Sequence, residues 1–404
     1  MAKVITDENK IKELVFSRYI EETYPSREKA EELLKSGKKL TFYLGIDPTG
    51  PDIHLGHTTN LLVLKKIIQL GHKVILLIGD FTAQTGDPTD KEATRRSLTE
   101  NEVKKNMESY ILQVTKILNK KSFDVKYNSA WLKKMTLGDF GKLARQVTVQ
   151  QMSAREMFRK RIEKESPITV EEFLYPLMQG YDSVAMEVDG EIGGRDQTFN
   201  MLVGRDLVGA MLGKEKIVIT TKLLEDTETG KKLMNKSEGS YVSLNDSSGD
   251  MFGKIMAMPD SAILPLLSLT TEVPDLKIEE TKVVLEKGDN PKMVKINLAS
   301  ELVRMYFGEK EAVKAKNNFE SIFQKHEMPA DIPEIMVSEG RTEIVDLLVK
   351  NNIVSSNAEA KRIIQQGGVT LDGNVIAEWG RDLEIKDGAI LRVGPRRFYR
   401  IKTG

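Results

Sequence analysis

Apolar residues run almost without a break through Thr41 to Ile46 and again through Lys73 to Ile78. Between them, Leu61 to Leu70 carries apolar positions at helical spacing and stops at Gly71. Two buried strands joined by a helix make a βαβ unit, with parallel strands and a right-handed crossover. Charged helical patterning covers residues 10 to 36 and resumes over about 98 to 120 and 136 to 163. Met186 to Ile192 reads as another strand ahead of Gly193-Gly194, and Lys216 to Thr220 as a short further one. Gly79-Asp80 and Gly86-Asp87-Pro88-Thr89-Asp90 are loops at the carboxyl edge, where open α/β sheets bind ligands. Residues 1–230 are therefore expected to form a doubly wound α/β domain.

The pattern then changes. Gly230 to Ser240 is polar, basic and bounded by glycines, which predicts a loop within a connector over 231–258. Residues 259–335 mix prolines with helical stretches such as Val294 to Tyr306 and predict a helical domain. Asp331 to Gly340 reads as a linker. Residues 340–404 predict a small α+β domain, with two short helices and then GVTLDGNVI, whose Asp372-Gly373 fits a hairpin turn. There is no internal repeat.

Composition narrows the classes. A chain of 404 residues can bury two or three cores. The absence of cysteine excludes a disulfide framework. The start, MAKVITDENKIKELVF, has charges where a signal peptide needs an apolar run, and no stretch is apolar enough to span a membrane. A cytoplasmic protein without membrane contact is expected. Sixty basic residues balance sixty acidic ones, which still permits a basic patch on one face. Of the four histidines, His72 and His326 follow no ligand spacing, so no metal site is expected.

The segment Thr41 to His57, TFYLGIDPTGPDIHLGH, carries the most chemistry. Strand, tight turn and helix start present backbone N–H groups and a positive helix end to an anion. His54 and His57 stand three apart on one face of the first turn, where both can donate to phosphate oxygens. Tyr175, Gln179 and Asp182 are spaced i, i+4, i+7 and project from one helix face. Such a face is expensive to bury unless it hydrogen-bonds something; a solvated face is the alternative. Paired glycines in Gly193-Gly194-Arg195-Asp196-Gln197 allow a ligand close, and Asp196 can accept from ribose hydroxyls. A lysine in the loop after Gly230 can close over phosphates, although basic surface loops are common.

The first segment resembles the first signature of class I aminoacyl-tRNA synthetases, usually His-Ile-Gly-His. Leu233 to Ser237, LMNKS, resembles the second, Lys-Met-Ser-Lys-Ser. Leu233 and Asn235 depart from it, Lys236 and Ser237 are retained, and Lys231 and Lys232 stand beside the missing charge. In order, YLGIDPTGPDIHLGH, GDFTAQTGDPTDKEATRR, YPLMQGYD and GGRDQTFN resemble the tyrosyl-tRNA synthetase family of the bacterial type, from about Glu13 to the C-terminus.

That resemblance implies a Rossmann-like catalytic domain over 1–230 and a signature loop and connector over 231–258. It further implies a helical anticodon-arm-binding domain over 259–335 and a ribosomal-S-four-like RNA-binding domain over 340–404. The implied activity is tyrosine–tRNA ligation. L-tyrosine and ATP give tyrosyl-adenylate and pyrophosphate, and the tyrosyl group then passes to the 3′ end of tRNA(Tyr). Tyr43 and Asp182 are expected at the substrate phenol, and Asp87, Tyr175 and Gln179 at its α-ammonium group. Gln197 is expected near its carboxylate, with Asp47 close by. His54, His57, Lys91, Arg95, Lys236 and Ser237 are expected at the phosphates. Gly194 and Asp196 would hold the ribose, while Gly45 and Gly56 let adenosine approach the backbone. Mg2+ is expected to accompany ATP, without a tightly bound cofactor, in a homodimer.

For the RNA partner, residues 341–404 hold eleven Lys/Arg against eight Asp/Glu. Lys361-Arg362 open one helix, and Arg392, Arg396, Arg397, Arg400 and Lys402 crowd the last strands with Phe398 and Tyr399. The stretch SSNAEAKRIIQQGGVTLDGNVI carries the ribosomal-S-four-like resemblance. Three other readings compete. A tryptophanyl enzyme has no need of Tyr43 and Asp182 directed at a phenol. A small-molecule adenylyltransferase does not explain the RNA module. An RNA-binding paralogue with a decayed site has only Leu233 and Asn235 in its favour.

Overall fold

Strand β1 (Ile20–Tyr24) lies antiparallel at one edge of a six-stranded sheet. The other strands are β2 (Thr41–Ile46), β3 (Lys73–Ile78), β4 (Asp124–Tyr127), β5 (Gly190–Gly194) and β6 (Ile217–Thr221). Their order is β1-β6-β5-β2-β3-β4, and the five from β6 to β4 run parallel. The chain therefore moves outward from β2 through β3 to β4, then crosses back to build β5 and β6 on the other side. That reversal makes the β2/β5 boundary the topological switch point of a doubly wound sheet. The computed structural model describes residues 3–87, 98–234, 241–288, 290–324, 332–337, 340–354, 356–380, 382–394 and 397–404.

Two compact units emerge from the internal contacts: Met1–Asp246 with Lys254–Gly308, and Ser247–Gly253 with Glu309–Gly404. In the first, the helices Leu55–Gln69 and Val170–Met186 carry His57 and Tyr175, Gln179 and Asp182. The second helix starts with a reciprocal cap: Thr169 accepts from the Glu172 N–H while Glu172 accepts from the Thr169 N–H. Glu172 is itself buried in an ion pair with Arg161, with N···O 2.9 Å. The helical stretch expected over 259–335 divides by its packing. The helices from Ile263 to Phe307 belong to the first unit, where Thr59 donates to the Leu269 carbonyl at 3.0 Å. The helix Glu309–Gln324 belongs to the second.

That second unit contains β7 (Glu334–Val337), β8 (Gly340–Glu343), β9 (Val369–Leu371), β10 (Asn374–Val375), β11 (Asp382–Ile385), β12 (Ile390–Val393) and β13 (Arg397–Thr403). Five of them form a sheet in the order β10-β9-β12-β13-β7, and β11 pairs with β8. The helices Ile344–Lys350 and Asn357–Gln365 pack against it through Ile344, Leu348 and Ile364, which meet Val369, Leu391, Val393 and Ile401. The predicted hairpin turn is present, with φ +47° at Asp372 and +82° at Gly373.

Four elements differ from the sequence expectation. Residues 10 to 36 hold β1 between two helices, because Ile20 and Thr23 bury their side chains against β6 despite the charged surroundings. The strand expected over Met186 to Ile192 begins only at Gly190, since the helix before it continues through Met186 and turns off at Glu187 with φ +52°. β4 is short and half exposed, and its Asp-Val-Lys-Tyr sequence gave no apolar run to read. The stretch read as a linker contains β7, whose Ile335 and Val337 alternate into the core beside β13.

Gly190 marks how tightly β5 sits on β2. A Cβ there would stand 2.3 Å from the Phe42 ring, and Phe42 is itself fully buried. Gly190→Ala should therefore destabilise the first unit by about 1–3 kcal/mol through overpacking. A denaturant melt followed by tryptophan fluorescence should show the loss; an unchanged midpoint would mean that β5 can slide away from β2.

Candidate active site

Strands β2 and β5 pair only at Phe42↔Gly190 and Tyr43↔Glu191, and part beyond those residues. The gap opens at their carboxyl ends into a cavity of about 780 Å³, bordered by Tyr43, Asp47, His54, Asp182, Gly194 and Gln197 among others. One end reaches the start of the helix Leu55–Gln69. His54 is its N-cap, and its Nδ1 accepts from the Gly56 N–H at 3.2 Å. His57 Nδ1 accepts from the His54 N–H, also at 3.2 Å, and the two rings lie tilted at 43° with centroids 3.9 Å apart. With its Nδ1 accepting, His54 carries its proton on Nε2, which makes that atom a donor; His57 Nδ1 also lies 3.3 Å from the His54 carbonyl oxygen. Gly56 lies so close to the His54 ring that a Cβ would stand 3.0 Å from it.

The other end is acidic and densely hydrogen-bonded. Asp182 is 3% exposed and accepts from Trp131 Nε1 at 2.7 Å and from Asn128 Nδ2 at 3.2 Å. Burial pushes its carboxyl well above the usual carboxylate range, against the opposing pull of those two donors. Asn128 also donates to Thr82 Oγ1 at 2.9 Å, and Thr82 donates to Asp47 Oδ1 at 2.8 Å. Tyr175 donates its hydroxyl to the other Asp47 oxygen at 2.8 Å. Burial raises the Tyr175 phenol well above its ordinary range, and Asp47 and Asp87 push it the same way. Gln197 donates to Asp87, while the buried Gln179 Oε1 has no hydrogen-bond partner among the described residues.

Tyr43 is fully buried apart from its edge on the cavity, with its hydroxyl 2.9 Å from Ser183 Oγ. Burial lifts its phenol well above the ordinary range, with Glu191 and Asp182 adding to the effect. Gly45 and Gly194 both border the cavity. A Cβ on Gly194 would stand 2.6 Å from Asp196 Oδ1, so that carboxylate keeps its place only beside glycine. Tyr43, Gly45, Asp47, His54, Gly56, His57, Asp87, Tyr175, Gln179, Asp182, Gly194, Asp196 and Gln197 thus share one cavity. Lys91, Arg95, Lys236 and Ser237 lie outside the described residues.

Several residues that line or support the cavity had no sequence signal that singled them out. Asn128 and Trp131 follow β4, and reading that strand would have put them in a carboxyl-edge loop. Ser183, Glu191 and Lys216 form a buried cluster under Tyr43. Lys232 borders the cavity and pairs with Asp196 at 2.8 Å. Leu233, at the position of the first signature lysine, is 8% exposed and donates its N–H to the Leu224 carbonyl. Among the described residues, no group of three or more His, Cys, Asp or Glu side chains could hold a metal ion.

The basic residues expected at RNA occupy different faces. Lys361 and Arg362 lie on the helix Asn357–Gln365, with Lys361 Nζ 4.0 Å over the Trp379 ring. On β13, alternation puts Phe398, Arg400 and Lys402 on one sheet face, and Arg392 of β12 stands opposite Phe398. Arg397 falls on the other face with the buried Ile401 and donates to the Ile353 carbonyl. Arg396 lies outside the described residues.

A family model described as tRNA synthetases class I (W and Y) matches residues 35–324. A second, Tyrosine--tRNA ligase SYY-like C-terminal domain, matches residues 324–396. The tyrosine–tRNA ligase of Thermotoga maritima is 43% identical over 380 residues, covering 94% of both chains. That of Carboxydothermus hydrogenoformans is 43% identical over 405 residues, covering 98% of both. Among solved structures, the Archaeoglobus fulgidus tyrosyl-tRNA synthetase complexed with L-tyrosine shares the fold at a TM-score of 0.60 and 22% identity. The match covers 77% of this chain and 100% of that one. The tryptophan and tyrosine branches share the first family model, but the C-terminal model and the two near-complete relatives above are of tyrosine–tRNA ligases, and the chain belongs to the tyrosyl-tRNA synthetases of class I.

Proposed function

We propose that this tyrosine–tRNA ligase reads its amino acid at the acidic end of the cavity and its ATP at the histidine end. The observation that carries the reading is the buried pairing of a hydroxyl and a carboxylate, Tyr43 and Asp182, on one cavity wall. A phenol both donates and accepts, so it satisfies one of each; a phenylalanine ring would leave two buried groups unpaired. Asp87, Tyr175 and Gln179 take the α-ammonium group, for which Gln179 Oε1, without a partner among the described residues, is a ready acceptor. Gln197 and Asp47 flank the carboxylate.

That carboxylate, already ionised at neutral pH, attacks the α-phosphorus of ATP, and the bond to the departing pyrophosphate breaks. Positioning and donors that meet the phosphate charge do the catalysis. His54 and His57 offer ring N–H donors, and Asp196 with Gly194 holds the ribose. Gly45 and Gly56 leave room for adenosine against the backbone. Lys91, Arg95, Lys236 and Ser237 complete the phosphate site, with Mg2+ travelling on ATP. Lys232 supplies the charge that Leu233 lacks. A terminal ribose hydroxyl of tRNA(Tyr) then takes the tyrosyl group and releases AMP.

Residues 259–335 are the proposed contact for the anticodon arm, and 340–404 for RNA more broadly, through Lys361, Arg362, Arg396, Arg397 and Arg400. Of these, Arg400 has the better supported role, since Arg397 is already engaged with Ile353. The working form is a cytoplasmic homodimer, for which the exposed Leu137, Val149 and Val170 offer an apolar surface. Light scattering at twice the chain mass of 45.5 kDa tests it.

Tyrosine-dependent exchange of pyrophosphate into ATP separates this reading from its competitors. Asp182→Ala should abolish exchange. Tyr43→Phe should keep the ring and mainly weaken selection against phenylalanine, by about tenfold or more for one hydrogen bond of about 1.5–3 kcal/mol. An unchanged Tyr/Phe ratio in that variant would sink the phenol assignment. His54→Ala and His57→Ala should slow adenylate formation more than they weaken ATP binding, because their bonds strengthen as charge shifts. Equal losses would make them plain binding residues.

In the full chain, Arg392→Ala with Arg400→Ala should weaken tRNA binding and flatten its salt dependence, while pyrophosphate exchange is kept. Unchanged binding across a salt titration would move the RNA surface away from the outer face of β12 and β13.

A further inference from the structure

Beneath the amino-acid end of the cavity lies a cluster that the steps above do not use. Lys216, at the entrance to β6, is fully buried, and Glu191 of β5 is 3% exposed. The lysine ammonium donates to Glu191 Oε2, to Ser183 Oγ at 2.7 Å and to the Met201 carbonyl at 3.2 Å. Three ammonium protons meet three acceptors, and an ammonium accepts nothing in return. Ser183, itself fully buried, must therefore be the acceptor towards Lys216. Its single proton remains, and the Tyr43 oxygen 2.9 Å away is its other neighbour.

Among the described residues, the bond between the two hydroxyls has one favoured direction. If Tyr43 donated to Ser183, the serine proton would be buried without an acceptor, which is costly. If Ser183 donates to Tyr43, the tyrosine proton turns away from the serine, on the side where Tyr43 and Asp182 border the cavity. Glu191 also hydrogen-bonds the Tyr43 hydroxyl and is the competing acceptor for that proton. Lys216 holds its Oε2 and offsets its charge, while Gln179 Nε2 reaches its other oxygen at 3.4 Å.

We infer that Lys216 and Ser183 are positioning residues that aim the Tyr43 hydroxyl proton into the amino-acid pocket and thereby set its selectivity for a phenol. The inference rests on the reading that Tyr43 and Asp182 meet the substrate's hydroxyl. In that arrangement the phenol oxygen accepts from Tyr43 and donates to Asp182, so each member of the pocket has one role. Without the ammonium, Ser183 is free to accept from Tyr43 and Glu191 becomes an uncompensated carboxylate able to draw the proton. Tyr43 would then offer the phenol only lone pairs, beside a carboxylate that also only accepts.

The test is a double-mutant cycle in the full-length enzyme, read by pyrophosphate exchange with tyrosine and with phenylalanine. Ser183→Ala should lower kcat/KM for tyrosine about tenfold, leave that for phenylalanine nearly constant and leave the KM for ATP unchanged. Combined with Tyr43→Phe, it should add little, because both changes remove the same donor. Lys216→Met, checked for folding by circular dichroism, should show the same selective loss. Equal losses for both amino acids in Ser183→Ala, or full additivity with Tyr43→Phe, would overturn the inference and leave the phenol reading standing. No change of the Tyr/Phe ratio in Tyr43→Phe alone would overturn both.

Discussion

Strands β2 and β5 share register for two residue pairs and then separate, and the site depends on that separation. Up to Tyr43 and Glu191 they are an ordinary parallel pair, pressed together by the contact of Phe42 with Gly190. Beyond, each strand end has lost a hydrogen-bonding neighbour on that side, and the backbone borders a cavity. Gly45 and Asp47 follow from β2, while Gly193, Gly194 and Asp196 follow from β5. The two helices that supply the rest, Leu55–Gln69 and Val170–Met186, cover the same gap because the crossovers of a doubly wound sheet reverse there. A ligand at this point touches backbone from two strands and side chains from two helices.

The electrostatics follow from the same geometry. Asp47, Asp87, Asp182 and Glu191 converge on one part of the cavity, where desolvation works against every charge. Each is held by donors: Tyr175 and Thr82 on Asp47, Gln197 on Asp87, Trp131 and Asn128 on Asp182, Lys216 on Glu191. A buried ion pair such as Lys216 with Glu191 is weak evidence for stability, although breaking it from one side costs about 3–5 kcal/mol. Its retention fits a need for direction rather than for strength. The opposite end carries histidine donors and a helix N-terminus, so the cavity has a cation-seeking and an anion-seeking half. An amino acid and a nucleotide triphosphate require that division.

The motifs that meet at the cavity were legible because their spacing is local. His54 and His57 share a helical turn, and Tyr175, Gln179 and Asp182 share a helix face, so spacing alone groups each set. The βαβ core was equally plain from Phe42 to Ile78, where apolar runs bracket a periodic helix. The supporting residues were not legible for the converse reason. Ser183, Glu191 and Lys216 come from a helix, a strand and a strand entrance, and only tertiary packing joins them. β1 and β4 escaped because edge strands can stay polar on their exposed side, and β7 because four residues beside proline look like a connector. The C-terminal arginines were counted in the sequence but not oriented, since the pleat of β13 sends Arg397 and Arg400 to opposite sides.

The altered second signature follows a physical logic of its own. Leu233 occupies a buried position, with its N–H tied to the Leu224 carbonyl, so a charge there would be desolvated. One residue earlier the chain faces the cavity, and Lys232 reaches Asp196 across it. A cation therefore stands on the cavity one position along the backbone from Leu233. A surface-accessible ion pair of this kind is worth little by itself, about 0–1 kcal/mol. Exchanging it for contacts to a nucleotide therefore carries a small penalty, and the charge missing from Leu233 need not be missing from the reaction.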